Sequence, residues 1–417
     1  MKKELIKYVI VFFTLITLFV GYAVLVSLLP TEKIKKHIEE SANTMLPQGD
    51  YPYAIIGTNQ YQMDNFTDAL ILTINYAIDN EKPFHSAMMC RWAEGKKGSN
   101  LTESLWQQTH NEEVNFTDYP RYWHGNSFLI RPLLIFTNYE TIRWIMYAVS
   151  SILMLILGIK LFQKLGMLKT IAFATGLIMV NIFVTQFSIQ FFPVLALTII
   201  ASILMCKYYD DRNKVLLTAF IFGCCTAYFD LFTTPLLICG LPLIIYISLK
   251  TDEPFIRRLK TVLLFSCLWA FAYALTWMTK LTFATLFTDM NVFADAYYAF
   301  VGWADTPDTP RITGITKPLE MLPISFICIV LSLLLLCMIF FFNKKELKTN
   351  ILLFIVALYP FVWYFLAAQP SYWHWWFSYR AYAISIIALF FILINFISWD
   401  EVKKIRNITS SKHKCKV

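Results

Sequence analysis

Residues 5–29, LIKYVIVFFTLITLFVGYAVLVSLL, carry a single charged side chain, Lys7. About twenty apolar residues in a helix cross the hydrocarbon of a bilayer, so this run is long enough to span one. Its basic start, Lys2, Lys3 and Lys7, is like that of a secretory signal. The apolar run is too long for one, however, and no small-x-small cleavage site follows Val26-Ser27-Leu28-Leu29-Pro30, so it reads as a retained span.

Similar runs recur at about 140–160, 170–187, 190–206, 214–229, 232–249, 261–284, 321–342, 351–368 and 380–398. Those meeting at Gln186–Pro193 form either two spans or one tight hairpin. The chain is 57% hydrophobic and 15% charged, with 36 Phe and 12 Trp, against about 25% charged residues in soluble domains. The pattern predicts an all-α, polytopic transmembrane bundle of about ten spans over 1–417, with no separate soluble domain.

Basic residues set the orientation. Lys2, Lys3 and Lys7, Lys160, Lys164 and Lys169, and Lys207, Arg212 and Lys214 fall at one set of span ends. Lys250, Arg257, Arg258 and Lys260, then Lys344, Lys345 and Lys348, continue that side. The basic tail 399–417 completes it with Lys403, Lys404, Arg406, Lys412, Lys414 and Lys416. Together these are 22 of the 36 Lys and Arg. Both termini are therefore expected in the cytoplasm, and the polar loop 30–126 outside. The net charge of +8 is this topology signal and gives no reason to invoke nucleic acid.

Eight of the nine cysteines lie in spans or inside, with Cys90 alone in the outer loop. That excludes a disulfide framework and a zinc cluster. The sequons at Asn65, Asn100 and Asn115 read as chance in an Asn/Thr-rich loop. The loop has few Gly or Pro and contains Thr67–Ile78, TDALILTINYAI. This reads as an amphipathic helix of about twelve residues, too short to span and suited to lying in the interface. A more polar helix is expected around Ile34–Thr44. Asp64 and Asp68, four apart, would share a helix face, either as reactive carboxylates or as a solvated capping pair.

The loop returns to the membrane through Tyr119–Pro132, YPRYWHGNSFLIRP. Arg121, His124 and Arg131, with Trp123 among them, exceed what membrane anchoring requires and suit a phosphate or pyrophosphate. Other ionisable residues crowd the outer ends of spans: Arg143, Asp230, Lys280, Asp289, Asp295, His374 and Arg380. The middles of the spans carry almost no charge. Lys280 and Arg380 could instead snorkel to headgroups, and Trp373, Trp375 and Trp376 could form an aromatic belt. Asp230, between Phe229 and Leu231 and before Thr233-Thr234-Pro235, is costly to desolvate without a role. Cations, carboxylates and aromatics in one outer layer suit an amphiphilic substrate, a lipid-linked phosphate. Arg and Lys would hold the phosphate and stabilise the leaving group. Asp64, Asp68 or Asp230 would act as general base or bind a divalent cation, Mg or Mn. Trp and Tyr, Tyr379 included, would stack on sugar rings.

This arrangement resembles the GT-C class of polyprenyl-phosphate-sugar glycosyltransferases: one span, a long outer loop with helices and an acidic residue, then many short-linked spans. The likeness is architectural and covers most of the chain. It implies a lipid-linked sugar donor, a glycan or lipid acceptor at the outer face and a key acid after the first span. Here that acid falls on Asp64 or Asp68, about 35 residues beyond the span, whereas Glu32 is the acid close to it. The strings YPRYWHG, FDLFTTP and WFSYR are similar to segments of uncharacterised bacterial membrane proteins, often of surface-polysaccharide loci, which implies a bacterial cytoplasmic membrane. The inner loops, about ten residues long, leave no room for a nucleotide-sugar site. The alternative is a transporter or flippase for an amphiphilic glycolipid. Against it stand the lack of an internal repeat and the expected lack of a Gly/Pro-broken helix pair at mid-membrane. The enzyme reading requires Asp64 or Asp68, Arg121, Arg131, Asp230 and Arg380 to converge on one outward cavity.

Overall fold

The computed structural model describes residues 2–55, 61–304, 310–340 and 346–398. The basic tail 399–417, with Lys344 and Lys345, lies outside them. The described chain is nearly all helix, with a single two-stranded sheet.

The first helix, α1 (Lys2–Ser27), leads into a folded region before Tyr139, termed outer after its expected side of the membrane. There α2 (Glu32–Met45) buries Ile34, Ile38, Ala42 and Met45 along one stripe. The next helix, α3 (Asn65–Tyr76), is followed by α4 (Pro83–Met89), strand β1 (Trp92–Glu94), α5 (Leu101–Thr109) and strand β2 (Asn115–Thr117). The strands pair antiparallel, Ala93 opposite Phe116. A capping box starts α5: the Asn100 side chain accepts from the Glu103 N–H while the Glu103 carboxylate accepts from the Asn100 N–H, so two otherwise orphaned donors are satisfied. A short helix, α6 (Gly125–Ile130), leads out.

The expectation for 67–78 needs correction. The helix is there, but it does not lie in an interface with one wet face. Its residues Asp68 to Asn75 are all buried, enclosed by α2, α5, α6 and β1. Thr73 and Asn75, polar in the sequence, are absorbed by backbone carbonyls: the Thr73 hydroxyl donates to Leu70 and the Asn75 amide to Ile71 and Ser127.

The remaining helices form the bundle. In order these are α7 (Tyr139–Leu165), α8 (Met167–Met179), α9 (Phe192–Tyr208), α10 (Arg212–Phe229), α11 (Leu236–Leu249) and α12 (Phe255–Phe287). They are followed by α13 (Val292–Ala304), α14 (Arg311–Leu319), α15 (Ile324–Phe340), α16 (Leu347–Ala357), α17 (Tyr359–Leu366), α18 (Ala368–Trp373), α19 (Trp375–Ser378) and α20 (Ala383–Phe396). Five described helical stretches are long and apolar enough to cross a membrane: Glu4–Ser27, Tyr139–Leu165, Phe255–Phe287, Leu347–Leu366 and Trp375–Phe396. Three shorter apolar helices, α8, α9 and α11, pack among them.

The pair α14 and α15 is bent by 81° at a short break and would count as a sixth span if taken together. Pro318 and Pro323 flank that break; each removes an N–H from the ladder. A proline-broken pair is thus present where the sequence suggested none.

Small residues let helices close on one another, as membrane bundles require. At Gly223 a Cβ would fall inside contact distance of the Trp269 carbonyl oxygen, which brings α10 against α12. Two large apolar cores result, with a small third one of Val194, Ala201, Phe222 and Ile238 among α9, α10 and α11. One fills the bundle around α9, α11, α16 and α20. The other runs without interruption from α1 through the outer region to α7, α10 and α12, so the outer region has no core of its own.

Candidate functional site

A cavity of about 220 Å³ lies where the outer region meets the bundle. Asp64, Phe66, Thr67 and Leu70 line it from the start of α3, and Tyr119, Arg121 and Tyr122 from the loop before α6. Leu231 and Phe232 contribute from the turn after α10, Gln190 from the break before α9, and Pro370, His374, Trp376 and Phe377 from α18 and α19. Tyr51 completes an aromatic collar, its ring 5.9 Å from that of Phe66 and 5.3 Å from that of Trp376.

Asp64 caps α3, accepting from the Thr67 N–H at 3.0 Å. Burial pushes its carboxyl up to about 7, with the Thr67 hydrogen bonds opposing and the Asp68 and Asp50 charges adding to the rise. A carboxylate titrating near neutrality on a cavity wall is suited to proton transfer. Arg121 is the arginine on this wall, and its charge is shared: Nη1 donates to both Asp295 oxygens, at 2.9 and 2.8 Å. Its guanidinium carbon lies 4.7 Å from the Tyr119 ring centroid, while Nε is buried with no acceptor among the described residues. His374 stacks on Phe377 at 5.1 Å, and burial lowers its basicity.

Of the residues singled out in the sequence, Asp64, Arg121 and His374 thus share one wall. Asp230 sits just behind it, beside Leu231 and Phe232. Its Oδ1 accepts from the Thr233 N–H at 3.0 Å and hydroxyl at 2.6 Å. Oδ2 is buried without a partner among the described residues, and burial raises this carboxyl to about 6.

The other expected members are placed elsewhere, for definite reasons. Asp68 points away from Asp64. It accepts from the Tyr139 hydroxyl at 2.7 Å, the Ser188 hydroxyl at 3.1 Å and the Ile189 and Gln190 N–H groups at 3.1 Å, so its lone pairs are engaged. Arg131 is fully buried and donates to Val26 O at 3.1 Å, Leu29 O at 2.7 Å, the Thr31 hydroxyl at 3.0 Å and Asn75 O. It neutralises the carbonyl-rich ends of α1 and α3 rather than a phosphate. Lys280 does the same at the end of α4, donating to Ala87 O at 3.1 Å and Met88 O at 2.7 Å.

His124 adopts a left-handed backbone conformation, φ 54°. Its Nε2 faces Tyr119 O at 3.0 Å, and burial, with Lys280 nearby, lowers it to about 3, so it is neutral. The next residue, Gly125, leaves no room for a Cβ, which would lie 2.6 Å from the Tyr228 carbonyl oxygen. Trp123 is buried and donates to Thr276 O at 2.9 Å. Tyr379 and Arg380 are buried in the bundle: the Tyr379 hydroxyl accepts from Asn181 at 3.2 Å, and Arg380 reaches Phe377 O at 3.4 Å. The five-residue convergence expected of the enzyme reading is therefore only partly met.

Tyr51, Gln190 and Tyr122 were not legible as site residues, since they carry no charge to mark them. Asp295 stood in the outer charged layer, but its pairing with Arg121, 174 positions away, was not legible. No metal-binding cluster of three His, Cys, Asp or Glu occurs among the described residues. Comparison with family models, curated proteins and solved structures finds no match to this chain.

Proposed function

We propose that the protein is a GT-C-type membrane glycosyltransferase that moves a sugar from a polyprenyl-phosphate donor to a glycan or lipid acceptor at the outer face of a bacterial cytoplasmic membrane. In this reading the long helices, the bent pair and the shorter apolar helices make up a bundle of about ten crossings, both termini are cytoplasmic and the 30–126 region is outside. The observation that carries it is the meeting of Asp64, Arg121 and an aromatic collar around one cavity. Asp64 takes the proton from an acceptor hydroxyl as that oxygen bonds the anomeric carbon. The carbon–oxygen bond to phosphate breaks, the phosphate leaves with the electron pair, and Arg121 offsets its growing charge. Tyr51, Tyr119 and Trp376 offer faces to the sugar.

The bent pair favours one competing reading, a flippase for the same class of lipid, since discontinuous helices are common in transporters. Proteoliposomes carrying labelled polyprenyl-phosphate sugar separate the two. Transfer or donor hydrolysis by the wild type, reduced about 10²-fold or more in Asp64→Asn, supports the transferase. Translocation without any bond cleavage overturns it in favour of the flippase.

A further inference from the structure

A second, larger cavity of about 460 Å³ opens beside the first turns of α7, where Pro52 and Met63, chain neighbours of Tyr51 and Asp64 in the site above, are among its lining. Glu140, Arg143, Trp144, Gln48, Phe187 and Met63 are among its lining residues. Glu140, Arg143, Trp144 and Tyr147 fall at helical spacing on one face of α7. Further along the helix, Ile152, Leu155, Ile159 and Phe162 are exposed at 48% or more, an apolar surface of the length that acyl chains cover. The groove is therefore a polar notch at the head of a lipid-facing stripe.

No ion pair closes within the notch, although the Arg143 guanidinium lies within electrostatic reach of the buried Asp68 carboxylate. Arg143 has no carboxylate within 4.0 Å among the described residues. Its Nη2 donates to the Met63 sulfur, a weak acceptor. The guanidinium carbon lies 5.0 and 5.9 Å from the Tyr139 and Phe187 ring centroids, within cation–π range of both. Glu140, one turn earlier, is exposed and makes no hydrogen bond or ion pair among the described residues. Side by side on one helix, a cation and an anion are displayed without pairing to each other.

We infer that this notch binds the headgroup of a zwitterionic phospholipid, a phosphoethanolamine. Arg143 takes the phosphodiester, whose single negative charge it matches, and Glu140 takes the ammonium. Gln48, whose oxygen is already committed to the Asn65 amide at 3.1 Å, offers its NH₂ to the phosphate or glycerol oxygens. Trp144 and Phe187 sit at the depth of the glycerol, as interfacial aromatics do. An anionic lipid such as phosphatidylglycerol would satisfy Arg143 but leave Glu140 facing neutral hydroxyls, which predicts selection between the two. The inference needs only a membrane-embedded protein and does not depend on the transferase reading.

The test is native mass spectrometry of the full-length protein extracted from vesicles of equal phosphatidylethanolamine, phosphatidylglycerol and polyprenyl phosphate. The wild type should retain phosphatidylethanolamine about tenfold over phosphatidylglycerol, the equivalent of one charge-assisted contact. Glu140→Gln should remove that preference while lipid stays bound. Arg143→Gln should lower retention of both phospholipids about tenfold, and Arg143→Lys should restore part of it. Glu140 is exposed, so its variant tests the assignment even if Arg143→Gln does not fold. Equal retention of the two phospholipids by the wild type, retention of polyprenyl phosphate that Arg143→Gln lowers, no retained phospholipid, or a Glu140→Gln profile like the wild type would each overturn the assignment.

Discussion

At the scale of single residues, the chain spends its buried cations on helix ends. Arg131 and Lys280 each satisfy carbonyls that a terminating helix leaves open, an environment that also attracts positive charge. A phosphate and a helix C-terminus make the same demand on an arginine, so from sequence alone the two roles look alike. Replacing Arg131 with Met should destabilise the protein by about 3 kcal/mol, because a buried network loses its hub, while the donor KM stays at its wild-type value. Thermal unfolding in detergent beside transfer kinetics checks both.

Asp64 behaves in the opposite sense. Its folded pKa, about 7, lies above the unfolded value of about 3.9, so the folded state binds the extra proton between those limits. The stability this contributes is present below about pH 4 and is lost as pH rises through 7. Asp64→Asn should flatten that decline between pH 4 and 7, measured by unfolding against pH. Where chemistry limits turnover, the acid limb of the wild-type rate profile should fall near the same pH.

At the scale of elements, apolar length located most of the long helices, because about twenty uninterrupted apolar residues have few other uses. It did not locate the break between α14 and α15, because Pro318 and Pro323, which flank the 81° bend, sit next to apolar sequence. Nor did it reveal that α3 is enclosed: Thr73 and Asn75 look wet in a one-dimensional pattern, yet both bond to backbone at short range. Likewise the cavity was legible where it carried charge, at Asp64, Arg121 and His374. It was silent where uncharged Gln190 and Tyr51 meet it from distant segments. Gly223 is a point where α10 meets the α12 backbone with no room for a Cβ. Gly223→Val should cost about 2 kcal/mol by overpacking, whereas Gly158, on the open face of α7 with nothing within 4 Å of its Cβ position, should accept Ala with little change. Midpoints of thermal unfolding for the two variants make the comparison.

At the scale of the whole molecule, the continuous core from α1 through the outer region to α12 makes the outer region part of the bundle. If 30–126 is outside, a cysteine at exposed Glu81 should react with an impermeant maleimide on intact cells. One at exposed Lys207 should react only after the membrane is opened. The reverse pattern would invert the topology and move the Asp64 cavity to the cytoplasm.

Asp68 gathers donors from α7 and from the Ser188–Gln190 break into one carboxylate on α3, and Gln190 goes on to form part of the cavity wall. This joint limits modularity. A chimera that exchanged 30–138 for the equivalent stretch of another protein would fold with a correct cavity only if the incoming stretch supplied a carboxylate to meet the Tyr139 and Ser188 hydroxyls and the Ile189 and Gln190 N–H groups at that joint. Graft boundaries that respect loops but ignore this joint should give protein with intact membrane helices and a collapsed site.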